Sequence, residues 1–187
     1  MRKILPVLGL LASLPAAAEP IVRMHTSYYY IDGPSATVLA AQVDQTGPVG
    51  ADGKHYAGKT SWDAQWRFAK EQKGNVCVVT KAQVAIGISQ VMPRWRGEDK
   101  GSDSLRAAWT KFTQALQRHE DEHKEHGMKA AKEIEAAILA TRPASNCEAL
   151  TDTANDAARM VVEKYQKLDE ELDRRTDHGR SEGATLL

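Results

Sequence analysis

From Ser102 to Leu139 the chain runs without a proline, has Gly127 as its one interior glycine, and is dense in Ala, Glu, Lys, Arg and Leu. Such a stretch has few alternatives to one long helix, because these side chains lose little rotamer freedom there and nothing interrupts the backbone ladder. Ser102 or Asp103 can cap its start. Leu105, Ala108, Trp109, Phe112, Leu116, Ala130, Ile134 and Ile138 recur mostly at spacings of three and four, which draws one buried stripe. His119 and His123 fill the middle of that stripe. Thr141-Arg142-Pro143 ends the helix. A second helix is expected from about Thr151 to Leu172, with Ala154, Ala157, Ala158, Val161, Tyr165, Leu168 and Leu172 inward.

A stripe that long needs a surface to cover it, and the preceding residues read as a sheet. Ile21 to Ile31 is strand-like and is stopped by Asp32-Gly33-Pro34; Ser35 can cap a short helix through Val43; the glycine-rich segment from Gly47 to Gly58 reads as a loop. Thr60 to Phe68 alternates, with Trp62, Ala64, Trp66 and Phe68 on one face. After the turn Lys73-Gly74-Asn75, Val76 to Val79 and then Val84, Ile86 and Ile88 give further strand. The expected fold class is α+β, a small, mostly antiparallel sheet followed by two long helices.

The N-terminus carries Arg2 and Lys3, an apolar run from Ile4 to Leu14, and Ala16 and Ala18 at a signal peptidase's spacing. Residues 1–18 therefore read as a signal peptide and 19–187 as one domain. The apolar run is shorter than the roughly 20 residues a membrane-spanning helix needs, so stable membrane insertion is not expected. Without Arg2 and Lys3, 23 basic residues face 25 acidic ones. That balance offers no electrostatic footing for nucleic acid. Cys77 and Cys147 are the only cysteines, and in an oxidising compartment they are expected to form a disulfide. The expected location is periplasmic or secreted.

His119 and His123 are four residues apart, so both imidazoles leave one helix face a turn apart and can bind one zinc ion. Glu120, about 100° round the helix from His119, can reach a water activated by the metal and act as general base. HEDEH also satisfies the inverted order HxxEH through Glu122; Glu120 is favoured, and Glu122 is assigned to solvent or a supporting position. His126 returns to the same face but lies roughly 7 Å further along the axis, too far to share that ion. The third ligand must come from elsewhere. His178, at a Gly-terminated helix end, and an acid on the second helix such as Glu163 both stand as candidates, while His25 and His55 read as ordinary strand or surface histidines.

The chain resembles the predicted secreted zinc-dependent proteases catalogued as domain of unknown function 922. The resemblance rests on Thr60-Ser61-Trp62-Asp63-Ala64-Gln65-Trp66-Arg67, Cys77, Met92-Pro93-Arg94-Trp95, Trp109, Phe112, His119-Glu120 to His123, Cys147 and Thr176-Asp177-His178-Gly179. It implies an exported metallopeptidase and favours His178 as third ligand. The resulting expectation is a zincin-like Zn2+ hydrolase acting on a peptide or protein substrate, with His119, His123 and His178 on the metal, Glu120 as base and a Cys77–Cys147 bridge. Tyr165 and Arg180 are candidates to stabilise the oxyanion. A sheet edge can hold an extended substrate by strand addition. Two other readings stand beside it: a non-catalytic periplasmic zinc-binding or scaffold protein with a fourth protein ligand, and a zinc amidase acting on cell-wall peptide.

Overall fold

The computed structural model describes residues 19–187, and the signal peptide read over residues 1–18 lies outside the described residues. The centre of the sheet is taken by the longest alternating run in the chain. Strand β3 spans Val76–Trp95, and its Ala82, Val84, Ile86, Ile88, Gln90 and Met92 point inward and are buried. Strand β2, Lys59–Lys73, pairs with it antiparallel, with a register shift between Ala69 and Lys70. The expected strand pieces at 60–68, 76–79 and 84–88 are thus parts of two long strands.

Strand β1, Ile21–Ile31, pairs with the opposite edge of β3 and does so in parallel, from Ile21 opposite Ala85 to Ile31 opposite Trp95. The order is β1-β3-β2. The sheet is therefore mixed, with one parallel and one antiparallel pair, and the expectation of a mostly antiparallel sheet is corrected. The cause is the connection. β1 leads into helix α1, Ala36–Thr46, capped by Ser35, and then into the 47–58 loop, which together are long enough for a crossover to the far edge. Among the described residues the α-helices number three, α1 falling between the first two strands, so this part of the chain is not strands first and helices afterwards.

Helix α2, Asp103–Leu139, has 37 residues, roughly 55 Å of length, and starts at Ser102, whose side chain accepts from the Leu105 N–H. Helix α3, Cys147–Thr176, starts at Asn146, whose side chain accepts from the N–H groups of Glu148 and Ala149. Both lie on the β2–β3 face. Two apolar cores result. One joins Val84, Ile86, Ile88, Ile134, Ile138, Ala154 and Ala158; the other joins Ile31, Leu39, Met92, Trp95, Trp109, Phe112 and Leu116. In α2, His119 to His123 falls between the residues given to the first core and those given to the second.

Two indoles tie α3 to β2: Trp62 Nε1 donates to Asp169 Oδ2 at 2.7 Å, and Trp66 Nε1 donates to Asn155 Oδ1 at 2.9 Å. At the other end, Cys77 and Cys147 form a disulfide with Cα atoms 5.1 Å apart, beside backbone hydrogen bonds between Cys77 and Ala144 in both directions. No helix among the described residues is long and apolar enough to cross a membrane.

Candidate metal centre

Burying a histidine pair in the middle of a helix stripe is costly unless the ring nitrogens find partners. His119 and His123 are 2 % and 6 % exposed, and α3 supplies the partners. Asp173 Oδ1 lies 3.1 Å from His119 Nε2 and 3.1 Å from His123 Nε2, which are themselves 3.3 Å apart. On their far sides, His123 Nδ1 faces Asp169 Oδ1 at 2.9 Å, and His119 Nδ1 faces the Thr176 hydroxyl at 3.5 Å. That hydroxyl donates to the Leu172 carbonyl and accepts from the Gly179 N–H.

The helix end is built for this. After Thr176, Asp177 (φ 48°), His178 (φ 52°) and Gly179 (φ 79°) are three successive left-handed residues. The turn folds the chain back under α2, and a Cβ on Gly179 would lie 3.0 Å from His119 Cγ. His178 thereby reaches the cluster, its Nδ1 3.3 Å from Asp173 Oδ1 and its ring packed at a 35° tilt against Tyr56, the centroids 3.8 Å apart.

Charge is concentrated here. Burial works against protonating His123, yet the carboxylates of Asp169 and Asp173 outweigh it and push its pKa up to about 10. Burial would raise Asp173 as well, but hydrogen bonds from His119 and His123 and the nearby imidazole charges hold it well below the usual carboxylate range.

Glu120 is 2 % exposed. Burial raises its pKa, only partly offset by Thr60 and by the charges of His123 and His119. Its Oε2 is buried without a hydrogen-bond partner among the described residues, and the backbone of Gly58 presses against the other oxygen, so that a Cβ there would meet Oε1 at 2.7 Å. His119, Glu120, His123, Asp173 and His178 line one cleft of about 480 Å³, closed on the other side by Tyr56, Lys59 and Thr60.

His119, His123 and Asp173 place one ligand atom each within 4.8 Å of one another, and so do His123, His126 and Asp169. Two imidazoles and a carboxylate are a donor set that suits a divalent transition metal, and the partnerless oxygen of Glu120 beside them fits a site meant to hold more than these side chains. Of the residues singled out in the sequence, Glu122 pairs with Arg175, Glu163 is exposed, His25 is exposed on β1, and His55 binds the Gly47 carbonyl. Tyr165 bonds Glu133 and Arg180 reaches Asp44, both outside the cleft lining. The residues missed were Asp169 and Asp173. Their spacing of four on α3 matches that of the histidines on α2, a signal that antiparallel helix packing could have exposed.

A family model described as "Bacterial protein of unknown function (DUF922)" matches residues 26–179. The chain belongs to this family. The DUF922 span ends on Gly179 and takes in every residue of the cluster; its description assigns no activity. No curated protein and no solved structure matches the chain.

Proposed function

We propose that this DUF922 protein is an exported zinc-dependent hydrolase that cleaves peptide bonds, with His119, His123 and Asp173 holding the ion and Glu120 as general base. The observation that carries the reading is Glu120 Oε2. A buried carboxylate oxygen without a partner costs about 1–3 kcal/mol, and such groups gather where a protein performs chemistry. Zinc bound here would supply a Lewis acid that lowers the pKa of water and polarises a carbonyl. Glu120, its pKa raised by burial, is a stronger base than an exposed carboxylate; it takes the proton of the attacking water and returns it to the leaving nitrogen. Tyr56 lines the cleft, unlike Tyr165 and Arg180, but its hydroxyl donates to Asp52 Oδ2 at 2.8 Å and would have to turn from that carboxylate to meet a developing oxyanion.

Strand β2 supports a peptide as the substrate. That strand pairs with β3 on one side only among the described residues, and its first residues, Lys59 and Thr60, line the cleft. An extended peptide can add to the free edge and run past Glu120, the same placement that supports the zincin-like reading. The disulfide fits an oxidising compartment outside the cytoplasm.

The test combines elemental analysis with digests of peptides, casein and peptidoglycan, for wild type, His119→Ala, Asp173→Ala and Glu120→Gln. One zinc per chain, lost in the two alanine variants and kept in Glu120→Gln with hydrolysis reduced about 10²–10⁴-fold, supports the reading. A wild type without zinc, or Glu120→Gln with full activity, refutes it. Cleavage of peptidoglycan alone moves the substrate to cell-wall peptide. One observation favours a second reading: His178 Nδ1 is 3.3 Å from Asp173 Oδ1. As a fourth ligand it would close the site into a non-catalytic zinc centre, which a ligand count by X-ray absorption separates from the first.

A further inference from the structure

We propose that Asp169 is a positioning residue that fixes the tautomer of His123, so that Nε2 is left bare toward the metal centre, and that the Trp62 N–H is what makes a carboxylate, and not an amide, necessary at this position. The inference rests on the zinc reading above. Asp169 accepts from three ring N–H groups at once. Its Oδ1 is 2.9 Å from His123 Nδ1 and 2.7 Å from His126 Nδ1, and its Oδ2 is 2.7 Å from Trp62 Nε1. An ionised carboxylate only accepts, so the neutral His123 beside it carries its proton on Nδ1 and presents a lone pair from Nε2. A ligating imidazole held from behind by a carboxylate in this way gains both orientation and basicity.

The indole makes the arrangement directional. Trp62 can only donate; it packs against α2 at Gly127, where a Cβ would come within 2.8 Å of its ring, so its N–H is held toward Asp169. If residue 169 were an amide, Trp62 would claim the amide oxygen and turn the NH2 toward His123 and His126. His123 would then have to accept at Nδ1 and carry its proton on Nε2, the tautomer that cannot bind the ion. Removing the indole N–H releases that preference and lets the amide oxygen face His123 again. A residue needed only for packing would give the opposite pattern, since deleting a second contact would add to the damage.

The experiment measures zinc affinity by competition with a chromogenic chelator for wild type, Asp169→Asn, Trp62→Phe and the double variant. Long-range ¹H–¹⁵N spectra of the imidazoles of zinc-loaded wild type are recorded beside it. The expected result is affinity about 10–100-fold weaker in Asp169→Asn, near wild type in Trp62→Phe, and partly restored in the double variant, with the His123 proton on Nδ1. Wild-type affinity in Asp169→Asn, or a double variant weaker than Asp169→Asn, overturns the inference. So does a His123 proton on Nε2, or two zinc ions per chain, because either places metal in the His123–His126–Asp169 group. The wild-type spectra decide the matter even where a variant fails to fold. The two affinity outcomes leave the zinc reading standing; a His123 proton on Nε2 or a second zinc ion also counts against its ligand set of His119, His123 and Asp173, and a wild type that binds no zinc removes both.

Discussion

Replacing Gly179 with alanine sets two costs against each other, and a neighbouring glycine allows them to be separated. Gly179 has φ 79°, and the new Cβ would sit 3.0 Å from His119 Cγ, 3.1 Å from His119 Cβ and 3.2 Å from Ala184 Cβ. The left-handed backbone costs an alanine about 1–2 kcal/mol; forcing a methyl group against a buried ring costs about 1–3 kcal/mol more. Gly183 has φ 95°, but there the nearest atom to a new Cβ is Ala115 Cβ at 3.6 Å, an ordinary contact. Gly183→Ala therefore carries the backbone cost without the collision. Thermal unfolding of both variants should show Gly179→Ala less stable than Gly183→Ala, with a total loss of about 2–5 kcal/mol, or some 4–20 °C in Tm for a chain of this size. Zinc affinity should fall in Gly179→Ala alone, because only that methyl displaces His119. Equal destabilisation with unchanged zinc affinity would refute the idea that the turn after α3 is what seats His119.

Zinc loading should strengthen about tenfold per pH unit between pH 7 and 9, because the ion displaces the proton that His123, with its pKa near 10, still holds there; calorimetry in buffers of differing ionisation enthalpy should register that proton. The metal-free protein should respond in the other direction. His123 is raised above its ordinary value of 6.5, so its contribution to stability is complete below pH 6.5 and is lost as the pH climbs toward 10, which urea titrations along that range would trace. Cys77→Ser with Cys147→Ser should lower stability by roughly 4 kcal/mol, the chain-entropy value for a loop of this span, and a chemical denaturation midpoint reports it. Asp173→Ala should weaken zinc binding more than His178→Ala, because His178 meets the compact group only through Asp173; chelator competition ranks the two.

Helix α2 was readable because no proline interrupts it and its stripe repeats, both of which are local facts. The disulfide was readable because two cysteines leave one pairing. The parallel partnership of β1 with β3 was not, since alternation tells which face of a strand is buried and says nothing about its neighbour. The same limit hid the acids of the site. Helix α3 holds eight carboxylates, and which of them meets His119 and His123 depends on how far the two helices slide along each other, a distance fixed by Trp62, Trp66 and the turn at 177–179. His178 was conspicuous for the opposite reason: a histidine at a glycine stop stands out in a sequence, whereas an aspartate within a charged helix does not.

The linker between α2 and α3 is exposed at Arg142, Pro143, Ser145 and Asn146, and the disulfide joins a residue before that linker to the first residue after it. A chain nicked once within this linker, after Pro143 and before Cys147, would thus stay one covalent molecule, its two fragments migrating together until a thiol reductant is added. Because His119 and His123 belong to one fragment and Asp169, Asp173 and His178 to the other, the nicked protein would hold its donors on two separate pieces, and reduction followed by remixing would be a route to reassembling them from differently labelled halves.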